Sequence, residues 1–163
     1  SGDVSLGVMS KAFALAGLRI GWLASADRAL LARCAAFKDY LTICNSAPSE
    51  VLALAALRAR EQVLARSRAI IAANLEVVDA FLVRNAGLVD WARPRAGSIA
   101  YPRLQAPLPI DAFCASLVEE EGVLLLPATV YGHPENRFRL GLGRRSLPEA
   151  LSLLERALAR LGA

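Results

Sequence analysis

The sequence predicts an α/β chain in which two lobes are joined by a long helix. Three features predict it: apolar strand-like runs interleaved with helical repeats, a helical pattern sustained through the middle, and a strongly amphipathic helix at the end. A chain of 163 residues suits one domain or two small ones, which typically run to roughly 100–200 residues each. The expected division is 1–87, which ends in the connecting helix, and 88–163, a lobe of interleaved strands and helices.

Val4 to Met9 reads as a short buried strand, and Leu18 to Ala24 as a second, with Ser10 to Gly17 as the loop between them. From Asp27 onward Leu30, Leu31, Cys34, Phe37 and Leu41 recur at helical spacing. Asn45, Ser46 and Pro48 punctuate the chain. A single helix is then expected from about 48 to 86, because Leu64, Ile71, Leu75, Val78 and Leu82 fall on one stripe. Gly87 supplies its left-handed cap. Beyond it, strands are expected at 88–91, 98–104, 123–126 and 137–142, with a helix over 111–121. Ser146 and Glu149 have the spacing of a capping box. Leu147, Leu151, Leu154, Leu158 and Leu161 form the apolar stripe of the last helix.

Composition removes several function classes. Apolar residues make up 55%, too many for disorder, yet the longest apolar runs fall short of the roughly 20 residues that cross a bilayer. A soluble chain with no membrane partner is expected. The net charge is +4, but the arginines are spread among acids and aromatics are only 6%, which argues against a nucleic-acid partner. Cys34, Cys44 and Cys114 are far apart and odd in number, as suits a reducing, cytoplasmic compartment better than a disulfide framework or a zinc site. One histidine, His133, leaves no multi-histidine metal site and few hydrolase triads.

The segment Gly7 to Trp22 carries the chemistry. A lysine, Lys11, follows directly on an apolar strand among small and apolar neighbours. Desolvation there would favour the neutral amine, the form that attacks a carbonyl. Ser10 and Arg19 offer a hydroxyl and a planar fork, both phosphate-binding types, while Gly17 and Gly21 allow a close backbone approach. A phosphorylated carbonyl compound such as pyridoxal 5′-phosphate fits this set. On spacing alone, a solvated lysine at a strand end fits equally well.

Ser10-Lys11, followed by Gly17-Leu18-Arg19-Ile20-Gly21, resembles the cofactor-lysine signature of class I/II aminotransferases, in the fold-type I pyridoxal-phosphate family. The resemblance implies that Lys11 is the Schiff-base lysine, Arg19 the phosphate-binding arginine and Ser10 a cofactor contact. Val8 departs from the serine or glycine usual there. Gly122 to Gly132 is similar to the family's apolar strand and Pro-Gly-x-x-Phe-Gly turn, with Ala128 and Tyr131 replacing the Gly and the Phe. Phe138-Arg139-Leu140-Gly141 resembles the strand whose arginine clamps the substrate α-carboxylate, a role implied for Arg139. By alternation Arg137 lies on the same face and is the rival, and a surface arginine on an edge strand is the plainer alternative. Ser98 and Tyr131 are pocket candidates, or ordinary loop packing.

The resemblance implies the C-terminal portion of a homodimeric aminotransferase that takes an amino acid and a 2-oxo acid, with most of the cofactor-holding sheet expected upstream. Two alternatives stand beside it. One is another reaction of the same family, such as a lyase, decarboxylase or cyclising enzyme; the other is a catalytically incompetent module acting in dimerisation or binding.

Overall fold

The computed structural model describes residues 3–161. The chain divides into two compact units, one up to Ser67 and one from Arg68 onward.

The first unit begins with an antiparallel hairpin of β1 (Val4–Val8) and β2 (Gly21–Ser25), in register from Val4 opposite Ser25 to Val8 opposite Gly21. Helix α1 (Arg28–Lys38) follows at once. Its N-cap Asp27 accepts a hydrogen bond from the Leu30 amide at 2.9 Å, which satisfies one of the otherwise unpartnered first-turn donors. Helix α2 (Ala47–Arg58) starts with Pro48 in its first turn, where a missing N–H costs nothing. Both expected strands are present, but the second begins at Gly21 rather than Leu18, because a 3-10 turn takes Ala16–Leu18 and Arg19 is left-handed, and the burial assigned to the first is absent. Val4 is 50% exposed and Leu6 72% exposed, so among the described residues that face of the hairpin is left largely open.

The single helix expected from 48 to 86 is two helices. Between α2 and α3 (Arg60–Arg84) stands Ala59, with φ −95° and ψ 21°. Alanine and arginine are both strong helix formers, so residue propensity gives no reason for the break. The far end follows expectation. Gly87 has φ +91°, and the Leu88 and Val89 amides both return to the Asn85 carbonyl.

The second unit holds an extensive core. Strands β3 (Val89–Asp90) and β5 (Arg103–Leu104) pair antiparallel. A second sheet has the order β4 (Ile99–Ala100), β7 (Phe138–Gly141), β6 (Leu126–Pro127), with β7 central and antiparallel to both neighbours. The strand expected over 98–104 is thus divided at Pro102, which has no N–H to give a ladder. Its register nonetheless continues, since Arg103 bridges Arg137 and the Pro102 carbonyl accepts from the Phe138 amide at 3.1 Å. The apolar run at 123–126 pairs only at its end, and Leu124 is 74% exposed while Leu125 is buried.

Helices α4 (Ile110–Glu121) and α5 (Leu147–Leu161) cover the core. Phe113 and Leu117 of α4 meet Leu151, Leu154 and Leu158 of α5 and Val78 and Phe81 of α3, all nearly without solvent exposure. Gly122 ends α4 at φ +67°. Two asparagines do the polar joinery. The buried Asn74 amide donates to the Leu142 and Arg144 carbonyls at 2.8 and 2.7 Å. Asn136 donates to the carbonyls of Leu104, Ala106 and Leu108 at 3.1–3.2 Å. Among the described residues no helix is long and apolar enough to cross a membrane.

Candidate active site

Ser10, Lys11 and Arg19 all lie in the connection between β1 and β2. The Met9 amide donates to the Ile20 carbonyl at 3.0 Å, which extends the ladder one pair beyond Val8 and Gly21. Ser10 and Arg19 therefore leave the hairpin side by side at the same end, and Lys11 follows Ser10. The Met9 side chain is fully buried and pins this end of the hairpin. The loop folds back on itself: Leu15 donates to the Met9 carbonyl and Ala14 to the Lys11 carbonyl, each at 2.9 Å.

Two non-glycine residues of this loop, Ala14 (φ 55°) and Arg19 (φ 56°), occupy the left-handed region. That conformation costs about 1–2 kcal/mol per residue and persists only where the surroundings over-determine it. Here a short 3-10 turn, Ala16–Leu18, lies between them and packs against α2. The Arg19 guanidinium donates to the Ala16 carbonyl at 3.2 Å, and among the described residues no carboxylate pairs with it. Most of its donors are therefore free for an anion.

Lys11 is exposed, and among the described residues its ammonium has no hydrogen-bond or ion-pair partner. The desolvated environment expected from its apolar neighbours is absent, because the lysine stands on the turn beyond the strand rather than within it. The glycines divide. A Cβ on Gly21 would stand 2.9 Å from the Gly7 carbonyl oxygen, and one on Gly7 would stand 2.1 Å from the Trp22 indole, so both admit close packing of the hairpin. Gly17 faces open space.

Arg139 lies in the second unit, at the centre of β7, opposite Leu126 of β6. Its neighbours Phe138 and Leu140 point into the core, so Arg139 and Arg137 share the outer face, as alternation requires. The two arginines have different surroundings. Arg137 is paired with Glu135 and donates to the Tyr101 carbonyl at 3.1 Å. Arg139 has no carboxylate partner among the described residues; its Nη1 donates to the Tyr131 hydroxyl at 3.3 Å. The plainer reading, an arginine on an edge strand, does not hold, since β7 is the central strand.

Tyr101 escaped the sequence reading. The register that sets Ala100 opposite Leu140 sets Tyr101 opposite Arg139, and strand alternation could have flagged it. Its hydroxyl is buried without a hydrogen-bond partner, and burial, with the Glu135 charge, holds its pKa above the ordinary phenol value. The Ser98 carbonyl accepts from the Leu142 amide at 2.8 Å. His133 is exposed on the turn after Tyr131.

These arrangements define a class. The family profile for aminotransferase class I and II matches residues 2–155, and the chain belongs to that family. Capreomycidine synthase of Streptomyces vinaceus is 31% identical over 138 residues, which is 85% of this chain and 35% of that protein. A crystal structure of a PLP-dependent aminotransferase from Streptococcus suis is 29% identical with a TM-score of 0.89, over 97% of this chain and 42% of that one. The PLP-dependent cyclase OrfR is 32% identical with a TM-score of 0.87, over 96% of this chain and 43% of that one. The chain thus has the α/β fold of these enzymes and spans between a third and a half of their length.

Proposed function

We propose that this chain supplies the lysine, the phosphate-binding arginine and the carboxylate-binding arginine of a pyridoxal-phosphate enzyme that transfers an amino group between an amino acid and a 2-oxo acid. The observation that carries this reading is the exit of Ser10, Lys11 and Arg19 from one hairpin end, with the Arg19 guanidinium unpaired by any carboxylate among the described residues. An amine, a hydroxyl and a free guanidinium match an aldehyde that bears a phosphate. In this reading residues 1–87 end the cofactor-binding domain and carry the connecting helix, and residues 88–163 form the small domain. The working enzyme is a cytoplasmic homodimer.

When bound, pyridoxal phosphate supplies an electron sink for the charge that develops at the substrate Cα. The chain's own residues do the rest. The Lys11 amine would hold the cofactor's aldehyde carbon, and as a free amine it would take the Cα proton as general base. Ser10 and Arg19 hold the phosphate by charge-assisted hydrogen bonds. Arg139 clamps the substrate carboxylate and so fixes which bond at Cα lies ready to break. Arg137 is the poorer candidate for that clamp, since Glu135 and the Tyr101 carbonyl already occupy it.

A cyclising reaction on the same lysine is the second reading. It draws support from capreomycidine synthase and the cyclase OrfR, which are 31% and 32% identical to this chain. The test common to both readings is the absorbance of the protein after incubation with pyridoxal phosphate. A visible band that Lys11→Ala abolishes is expected, whereas a band that survives this substitution removes Lys11 from the proposal. Product analysis with amino-acid and 2-oxo-acid pairs then separates transfer from cyclisation.

A further inference from the structure

We propose that Tyr131 and Arg139 form a single anion-binding fork, in which the tyrosine hydroxyl is a second donor to the carboxylate that Arg139 clamps. The inference rests on the carboxylate role proposed for Arg139 and adds a residue to it.

In the contact between them Arg139 Nη1 donates and Tyr131 Oη accepts, so the phenolic hydrogen is not consumed. Among the described residues no carbonyl or carboxylate accepts it. Glu135, the nearby acid, is engaged by Arg137. Tyr131 is 45% exposed, so an incoming anion can reach the hydroxyl. Arg139 thus keeps four N–H donors, and the Tyr131 O–H stands beside them as a fifth.

Tyr131 is also held in place before any ligand arrives. It ends the 3-10 turn Ala128–Tyr131, which springs directly from β6, the strand paired with β7. Ala128 is fully buried, and its amide donates to the Arg137 carbonyl at 2.8 Å. Thr129 donates from its hydroxyl to Asp111 of α4 at 2.5 Å. Gly132, at φ +74°, closes the turn with its amide on the Thr129 carbonyl. A pre-set donor loses little entropy on binding, which is where positioned hydroxyls gain their effect.

The test compares L-alanine with L-alaninamide, which lacks the carboxylate charge, as ligands of the holoenzyme, by spectral titration. Tyr131→Phe deletes one solvent-reachable oxygen and keeps the ring, so the fold is retained. Loss of a hydrogen bond to a charged group should weaken L-alanine about tenfold and leave L-alaninamide unmoved. In steady state the loss should fall on KM. A variant that weakens both ligands alike, or neither, overturns the fork. Arg139→Leu separates the two ideas: if it weakens L-alanine while Tyr131→Phe does not, the fork fails and the clamp stands. Should the wild-type holoenzyme show no preference for L-alanine over the amide, clamp and fork fail together.

Discussion

The Cys114 thiol is buried in the core, and burial, helped by the Asp111 charge, pushes its pKa up to about 11. Since the thiolate is the reactive form, Cys114 should be alkylated by iodoacetamide at pH 8 roughly a hundredfold more slowly than the exposed Cys44. Peptide mass spectrometry of a labelling time course measures this, and comparable rates would mean that α4 is not seated on the core as described. The same contrast of surroundings separates Arg137 from Arg139. Both sit on one face of one strand, and only their partners tell them apart. Lys11 is the opposite case: its identity and spacing mark it in the sequence, while its solvent exposure is a property of the turn that carries it.

Between elements, the second unit is tied by ion pairs at the edge of its core. Glu121, at the end of α4, accepts from Arg156 at 2.6 Å and from Arg160 at 2.7 Å, both on α5. Arg84 of α3 makes a two-pronged pair with Glu155 of α5 at 2.8 and 3.1 Å. Hydrogen bonds from Arg160 and then Arg156 hold the Glu121 carboxyl below its ordinary value of 4.5; Arg84 does the same for Glu155. A carboxylate whose pKa is depressed by folding stabilises the fold fully above the unfolded value and loses that contribution as pH falls through the folded one. The urea midpoint should therefore fall as pH drops below about 5, and Glu121→Gln should flatten the decline. The arginines are partly solvated, so the effect is modest. A midpoint indifferent to the substitution over that range would show that the cluster is ornamental.

For the molecule as a whole, burial is uneven. Between residues 3 and 67 only Met9 and Ala53 are buried apolar residues, while Leu6, Phe37, Tyr40, Leu41, Ile43 and Val51 are each more than half exposed. An open apolar groove of about 790 Å³ lies between β2 and α1, lined among others by Trp22, Leu31 and Phe37. Apolar surface of this extent is seldom left bare. Expressed as these 163 residues alone, the chain should self-associate and bind a hydrophobic dye through the first unit. Light scattering and dye fluorescence measure this; a monodisperse monomer that binds no dye would mean the groove closes on itself.

Residue spacing alone determined much of this protein. The two strands flanking the lysine loop, α1, α4, α5 and the Gly87 cap were legible, because each depends on periodicity or on a backbone conformation that few residues adopt, and the lysine signature was legible as a spacing of residue types. Side-chain partners at long sequence separation were not legible. The anchoring of Leu142 and Arg144 by Asn74, and the contact of Arg139 with Tyr131, exist only once strands and helices have packed. The break at Ala59 and the exposure of β1 belong to the same category, since neither residue type carries a local signal for them. Local chemistry wrote the elements, and tertiary packing decided which of their polar and apolar faces found partners.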